Sequence, residues 1–156
     1  MSPQLTSLLF ALSFIAIAVL YTLTLYNTLK TISPTNQKMQ AGLVWLFLIP
    51  VFHLIWHFVI VNKLSESIKA EYLSKGREVP EFKPGYGSGI IASFCWATSF
   101  TLSTFQSLAN ISITPINMFD GLLNIVGVIA WILYWVKIAG YKKKIQVLSS
   151  PTSTDF

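Results

Sequence analysis

Charged residues are scarce in this sequence. Asp, Glu, Lys and Arg make up only 11% of the 156 residues, less than half of the roughly 25% that is usual in soluble domains. Hydrophobic residues account for 53% of the chain and aromatic residues for 14%. This composition excludes an ordinary soluble domain and predicts a protein embedded in a lipid bilayer.

Motifs of catalysis and of metal or nucleotide binding are also lacking. The sequence contains no Cys-x-x-Cys, no His-Glu-x-x-His, no Gly-rich phosphate loop followed by Lys, and no acidic cluster in its apolar segments. Its one cysteine, Cys95, excludes an internal disulfide. The net charge is +5, but the Lys and Arg residues flank apolar runs, which argues against nucleic acid as a partner. We therefore expect a protein that is not an enzyme.

Long apolar segments dominate what is present. A helix needs about 20 residues to cross a hydrocarbon core of about 30 Å, and four segments are long enough: 5–29, 41–62, 86–109 and 119–139. They predict an all-α integral membrane protein with four transmembrane helices in a single domain, residues 1–145. The last residues, 146–156, have the composition of a disordered tail.

The second apolar segment is unusual because it contains a proline and runs into an amphipathic stretch. Pro50 has no N–H to donate, so we expect a kink there in one continuous helix. The amphipathic pattern over 62–75 predicts that this helix extends into the cytoplasm and ends at Gly76. Within the extension, Glu71 is expected to face away from the apolar stripe and to pair with Lys75. The extension is the expected surface for partner contacts.

The distribution of cations predicts the topology. Four spans would place both termini and the 63–85 loop on one side of the membrane. That side would hold eight cations, namely Lys63, Lys69, Lys75, Arg77, Lys83, Lys142, Lys143 and Lys144. The opposite side would hold Lys30 and Lys38. Because cytoplasmic loops carry the excess of Lys and Arg, we expect a protein of the cell (inner) membrane with both termini in the cytoplasm.

Two histidines within the second segment are the candidates for chemistry. His53 and His57 are four residues apart and share a helix face. They could begin a metal site, bind haem or relay protons, with Cys95 at a similar depth as a third ligand. One helix turn cannot place two imidazoles on opposite sides of a haem iron. The other interpretation is that both are neutral and hydrogen-bond to neighbouring helices.

The third segment is rich in small residues, which predicts close helix packing. A row with a spacing of four comprises Gly85, Gly89, Ser93, Ala97 and Thr101, and small side chains let helix backbones approach closely in membranes. Gln106 and Asn124 are expected to pair between the third and fourth helices. Asn117 is placed to cap the fourth helix, with Asp120 in its first turn.

Residues 45–72 resemble a segment of small, uncharacterised multi-pass membrane proteins of bacteria. The similarity consists of a Trp, an Ile-Pro pair, a Trp-x-Phe-x-x-Val run and a Leu-Ser-x-Ser helix. These are Trp45, Ile49, Pro50, Trp56, Phe58, Val61, Leu64, Ser65 and Ser67 here. The resemblance implies Asn or Gln at the places of His53 and His57 in relatives, which favours polar packing over ligation. It implies no established activity.

The expected function follows from these observations. We expect a non-enzymatic multi-pass membrane protein that acts through helix–helix or partner contacts, as a structural or accessory subunit without a cofactor. Its partners would be the lipid bilayer and other membrane proteins or a second copy of the chain. Two alternatives stay open: a haem- or metal-binding redox carrier that uses His53 and His57, and a small conduit for ions or protons.

Overall fold

The computed structural model describes residues 2–111 and 113–149, and these residues form helices without any strand. The α-helices are α1 (Pro3–Thr31), α2 (Phe52–Ser74), α3 (Tyr86–Ala109) and α4 (Thr114–Ser149). Short 3₁₀ helices occupy Pro34–Asn36 and Ala41–Leu48. The predicted all-α class is confirmed. Two helices, α1 and α4, are long and apolar enough to cross a membrane, with mean hydropathies of 2.4 and 1.9.

The helix ends follow from local sequence signals. Ser2 caps α1, where its hydroxyl accepts a hydrogen bond from the Leu5 N–H at 3.3 Å. Gly85 precedes α3 with φ of +70°, a conformation that glycine adopts without strain. Asn110 ends α3 in the left-handed region. The fourth helix begins at Thr114, so Asn117 lies inside its first turn instead of capping it.

Pro50 interrupts the second apolar segment completely. The chain forms a 3₁₀ helix to Leu48, turns at residues 49–51, and starts α2 at Phe52. Val51 at the turn has φ of +65°, and the Phe52 N–H donates to the Pro50 carbonyl at 2.7 Å, which closes a tight γ-turn. The prediction of one helix kinked at Pro50 was therefore wrong. Proline has no N–H for a helical bond, and the chain reverses here instead of continuing.

The reversal forms a hairpin of residues 41–74, which comprises the 3₁₀ helix, the turn and α2. Its first arm runs antiparallel to α1, since Trp45 packs near Tyr26 and Phe47 packs near Tyr21. Its second arm runs parallel to α1, because His57 contacts Tyr21 and Glu71 contacts Ser33, just beyond the end of α1. The hairpin thus enters the bundle beside α1 and leaves it at the same end.

The two connections that flank the hairpin consequently lie together. Asn36 donates to the Ser74 hydroxyl at 2.8 Å, and the Lys38 N–H donates to Ser67 at 2.8 Å. The prediction that loops 30–40 and 63–85 lie on opposite sides was wrong. It assumed that every long apolar segment passes from one side to the other, whereas this segment folds back.

The remaining helices complete a bundle in which α3, like the first arm of the hairpin, runs antiparallel to α1, α2 and α4. It packs antiparallel to α2, with Ser93 on His57, and antiparallel to α4, with Ser99 on Asn124. Consequently α4 ends where α1 and α2 end, and Lys75 donates a hydrogen bond to Ser149 there. The predicted tail began at residue 146, but α4 continues to Ser149, and residues 150–156 lie outside the described residues.

This end of the bundle, which we call the basic end, holds every cation of the chain. All 11 Lys and Arg residues lie at or beyond the level of Lys63 on α2. They are Lys30, Lys38, Lys63, Lys69, Lys75, Arg77, Lys83, Lys137, Lys142, Lys143 and Lys144. The opposite end, formed by the start of α1 and the connection between α3 and α4, has none.

The core lies in the basic half of the bundle. There the end of α1 packs against α2 and α4, and the fully buried side chains include Tyr21, Leu25, Leu29, Ile60, Leu64, Ile68, Tyr134 and Ile138. In the opposite half, α1 and the facing parts of α3 and α4 expose large apolar side chains such as Phe10, Phe14, Phe105 and Leu108. The helices therefore separate towards that end, because the hairpin of residues 41–74 does not reach into this half of the bundle.

Candidate functional site

His57 is a polar residue buried between the helices of the bundle. It is only 1% exposed. The Nε2 atom lies 2.8 Å from the hydroxyl of Tyr21 on α1, and the Nδ1 atom lies 2.6 Å from the hydroxyl of Ser93 on α3. One imidazole thus joins three helices.

The partners of Ser93 fix the direction of these hydrogen bonds. Ser93 donates its single hydroxyl proton to the Gly89 carbonyl at 2.8 Å, so it accepts from Nδ1–H of His57. Nε2 then accepts from the Tyr21 hydroxyl. A neutral imidazole therefore completes all the hydrogen bonds in the series Tyr21–His57–Ser93–Gly89, as the packing interpretation of His57 expects. Neither ring nitrogen is left for a metal or a haem iron.

Aromatic rings close the space around this network. The rings of Phe47, Trp96 and Tyr134 have centroids 5.5, 5.7 and 5.9 Å from that of His57. Edge and tilted contacts of this kind add stability beyond apolar burial. Trp135 joins the neighbouring layer, where its indole N–H donates to Thr24 of α1 at 2.9 Å. The hydrogen bonds and ring contacts of this network therefore join all four α-helices.

His53 and Cys95 do not join His57. His53 lies one turn nearer the hairpin tip and half-exposed, with its ring edge-on to Phe47 at 5.8 Å. Cys95 lies on the other side of α3, where it faces Gly127 of α4. Among residues 2–111 and 113–149, no three His, Cys, Asp or Glu side chains are grouped so that they could hold a metal ion. The proposed ligand set does not converge.

A cavity of about 640 Å³ adjoins His53. It lies beyond the hairpin tip, between the tip and helices α1, α3 and α4. Its walls are almost entirely apolar, and the described lining residues are Phe14, Ile15, Ile17, Ala18, Phe47, Leu48, Pro50, His53, Trp96, Asn124, Val128 and Trp131. The space exists because the hairpin stops there, whereas a full span would have filled it.

The small-residue row of α3 packs closely over its first half. A Cβ on Gly89 would lie 2.6 Å from a methyl of Val61 and 3.0 Å from the Tyr134 ring. Ser93 is 2% exposed, whereas Thr101 at the far end of the row is exposed. The row is thus closely packed at Gly89 and Ser93 and exposed at Thr101.

The two amides predicted to pair have other partners. Gln106 donates to the Asn117 side chain at 2.9 Å, and Asn124 donates to Ser99 at 2.9 Å. Both bonds join α3 to α4, so the two helices in contact were predicted correctly. The partner of Gln106, however, lies two turns of α4 before Asn124. Asp120 accepts a long hydrogen bond from Ser103 at 3.3 Å. It therefore contacts α3 in addition to its position near the start of α4.

Glu71 is a buried site that the sequence interpretation missed. Its carboxylate is 1% exposed and accepts hydrogen bonds from the Ser33 N–H and hydroxyl at 3.0 Å and from the Asn36 amide at 2.7 Å. The expected Lys75 partner is also present, at 3.2 Å. The prediction that Glu71 faces away was wrong, because the connection after α1 folds over it. A Ser-Pro-Thr-Asn turn rich in donors was the available signal.

These donors change the acidity of Glu71. Burial by itself raises the pKa of this carboxyl, but the hydrogen bonds from Asn36, Ser33 and Lys75 outweigh it and hold the pKa below the usual value. The carboxylate is therefore charged at neutral pH. It holds the connection 32–40 against α2 at the basic end.

The extension over 62–75 does not offer the free surface that was predicted. Leu64, Ser65, Ser67, Ile68, Glu71 and Tyr72 are buried, and this face packs on the connection after α1 and on α4. Tyr72, for example, meets Tyr141 of α4 with ring centroids 6.0 Å apart. The apolar stripe of the extension is therefore part of the core, and the opposite, polar face of the extension is partly exposed.

No protein-family model, curated protein or solved structure matches this chain. The resemblance of residues 45–72 to small multi-pass bacterial proteins stays a prediction.

Proposed function

We propose that this chain is an integral protein of the cell membrane with three spans, formed by α1, α3 and α4, and one re-entrant hairpin. The lengths of α1 and α4 support crossing by these two helices. With 24 residues, α3 has the length of a span as well. The hairpin enters from the basic end and turns at Pro50, level with Ala18 of α1.

The asymmetric charge of the bundle carries this proposal. Placing the basic end in the cytoplasm puts all 11 cations on that side and none on the other, the distribution that the positive-inside rule favours. The C-terminal end of α4 is then cytoplasmic and the start of α1 lies on the opposite side. The proposal replaces the four-span topology with both termini in the cytoplasm.

The hairpin backbone is partly enclosed by protein, and the exposed residues 48–52 at its tip form a turn with internal hydrogen bonds. Irregular backbone at membrane depth is tolerated where protein or a cavity surrounds it, because lipid offers no hydrogen bonds. Ala41, Val44 and Phe47 of the first arm are buried. At the turn, the N–H groups of Phe52, His53 and Leu54 all donate to carbonyls of residues 49–51. The tip therefore needs no water to satisfy these amides.

We infer further that the protein acts by binding a membrane component, not by catalysis or cofactor chemistry. The carrier alternative needs a free imidazole nitrogen on His57, and both of its nitrogens are engaged. The cavity beside the hairpin tip supports a binding role, because it lies between the helices at the depth of the bilayer and is lined by apolar side chains. The membrane component would then enter the cavity laterally, from within the bilayer.

Labelling of single cysteines tests the topology. In a Cys95→Ala background, we place one cysteine at Ser2, Thr35, Pro80 or Ile111 and treat intact cells with a membrane-impermeant maleimide. The three-span arrangement expects labelling at Ser2 and Ile111 only, with Thr35 and Pro80 labelled after permeabilisation. Four spans would instead expose Thr35 and protect Ser2. Labelling of Thr35 in intact cells would overturn the proposal.

A further inference from the structure

We propose that the cavity beyond the hairpin tip binds a neutral lipid that carries a free hydroxyl group. This inference rests on the proposed function, because it takes the cavity to lie within the bilayer. The observations that carry it are the size of the cavity, its depth, and the two polar side chains in its wall.

The size and position of the cavity suit a lipid ligand. Its volume of about 640 Å³ falls within the range of about 300–1,000 Å³ typical of small-molecule sites. Residues 3–13 of α1 extend beyond it by about 16 Å at about 1.5 Å per residue. The cavity is therefore near the middle of the membrane, far from either headgroup layer.

This depth selects against charged ligands. A charge is costly at the bilayer centre, so an ionic or zwitterionic headgroup would be a poor fit for the site. None of the described lining residues is Lys, Arg, Asp or Glu. The first amides of α2 are already bonded within the turn, so they do not offer an anion site either. The ligand has to be neutral.

The two polar side chains in the wall both present acceptors. Asn124 donates its amide N–H groups to Ser99 and to the Asp120 carbonyl, each at 2.9 Å. Because a backbone carbonyl can only accept, the orientation of the amide is fixed and its oxygen remains as an acceptor. His53 lines the cavity as well, and a neutral imidazole always carries one ring nitrogen that can accept a hydrogen bond.

A ligand that fits these groups must supply a hydrogen-bond donor on an apolar body. A hydroxyl meets this requirement without adding charge. Long-chain alcohols and diacylglycerols share this chemistry, and both are small enough in their polar part to reach the middle of a bilayer. Phospholipids are not.

Tryptophan fluorescence provides the test, since Trp96 and Trp131 line the cavity. The full chain is reconstituted in phosphatidylcholine vesicles that contain a dibrominated probe, because bromine quenches indole emission on contact. The probes are a dibrominated C18 alcohol, its methyl ether, a dibrominated diacylglycerol and dibrominated phosphatidylcholine, at equal bromine content. We expect the alcohol or the diacylglycerol to quench severalfold more than the ether and the phospholipid. Whichever of the two is stronger identifies the lipid type.

Variants assign the quenching to this cavity. Ala18→Phe fills it, whereas Ala16→Phe adds the same ring to an exposed position of α1 that does not line it. We expect the first change to abolish the preference and the second to preserve it. His53→Leu and Asn124→Leu should each reduce the preference about 2- to 10-fold, the value of one neutral hydrogen bond.

Several results would overturn the inference. Equal quenching by the alcohol and its methyl ether would show that no donor is recognised. A preference that survives Ala18→Phe would place the lipid elsewhere. If no lipid is preferred and Ala18→Phe instead converts an oligomer to a monomer, a second copy occupies the cavity. Failure of the maleimide test at Thr35 removes the membrane topology itself, so the two failures are distinguishable.

Discussion

The close packing of Gly89 on α2 and α4 predicts a specific effect of adding one methyl group. Gly89 has an ordinary helical conformation, so Ala can replace it without backbone strain. Its added Cβ, however, would lie 2.6 and 2.7 Å from the two methyls of Val61 and 3.0 Å from Tyr134. Val61 and Tyr134 are both completely buried, and a helical Val has one strongly preferred rotamer. Neither Val61 nor Tyr134 can therefore move away from the added methyl group without a cost in free energy.

The size of the effect follows from two opposing terms. Overpacking of a core by a methyl group costs about 1–3 kcal/mol, while Gly→Ala in a helix gains about 1 kcal/mol. Gly87 provides the matched control, because no described atom lies within 4 Å of the Cβ that Ala would add there. Both variants gain the helix term, so Gly89→Ala should be less stable than Gly87→Ala by about 1–3 kcal/mol.

The assay is thermal unfolding of the purified protein in mild detergent. A difference of 1 kcal/mol shifts Tm by about 2–4 °C for a chain of this size, so Gly89→Ala should melt several degrees below Gly87→Ala. Adding Val61→Ala should recover part of the loss in the Gly89→Ala background by removing both methyls, a coupling that a double-mutant cycle measures. Equal Tm values for the two alanine variants would refute the close approach of α2 and α3.

Three further predictions concern Glu71, His57 and Val51. Glu71→Ala should destabilise the fold by roughly 1.5–3 kcal/mol, the value of one or more hydrogen bonds to a charged group, against at most about 1 kcal/mol for Glu66→Ala at an exposed ion pair. Because the Glu71 pKa is depressed, wild-type stability should fall as pH drops through its folded value, and Glu71→Gln should flatten this dependence in thermal melts at pH 3–7. His57→Leu should cost about 2–4 kcal/mol, because the buried Tyr21 O–H loses its acceptor and Ser93 loses a donor. His57→Gln should retain part of this stability and would be equally damaging only if these hydrogen bonds were unimportant. Val51→Gly should raise Tm, because Val is strained at φ of +65° and its side chain is 60% exposed; a lower Tm would refute the γ-turn.

Where the sequence pattern was local, it predicted the structure well. The third segment was expected at 86–109 and forms α3 at Tyr86–Ala109, because a glycine-rich start and an Asn after its end delimit it. The small residues at Gly89 and Ser93 predicted a face for close packing. The same row could not reveal that packing stops before Thr101, since this depends on how far α2 reaches.

The hairpin could not be predicted from the second segment itself. Residues 41–62 have the length and composition of a span, and a proline within such a segment is compatible with a kink. Whether the segment reverses or continues depends on contacts made by the connections before and after it. Glu71 binds Ser33 and Asn36, which are 38 and 35 residues away in sequence, and no periodicity within either segment encodes this contact.

For the histidines too, the sequence predicted the local arrangement but not the tertiary surroundings. Their spacing predicted a shared face, but only the fold decides that His57 lies between Tyr21 and Ser93 while His53 borders a cavity. The distribution of cations was informative too, but the sequence-based prediction assigned Lys30 and Lys38 to the wrong end of the bundle. In the proposed topology, Lys30 and Lys38 lie on the same side as the other nine cations, so no cation departs from the positive-inside rule.

The uncharged connection between α3 and α4 has a consequence for biogenesis. In the proposed topology, residues 110–113 must cross the bilayer after α3 has been synthesised, and they contain no Lys, Arg, Asp or Glu. Helices α3 and α4 can therefore enter the membrane together as one closed pair, with only a short neutral loop to translocate. An added Lys in this loop should delay insertion far more than the same residue added to the basic end, because that end never leaves the compartment in which it is made.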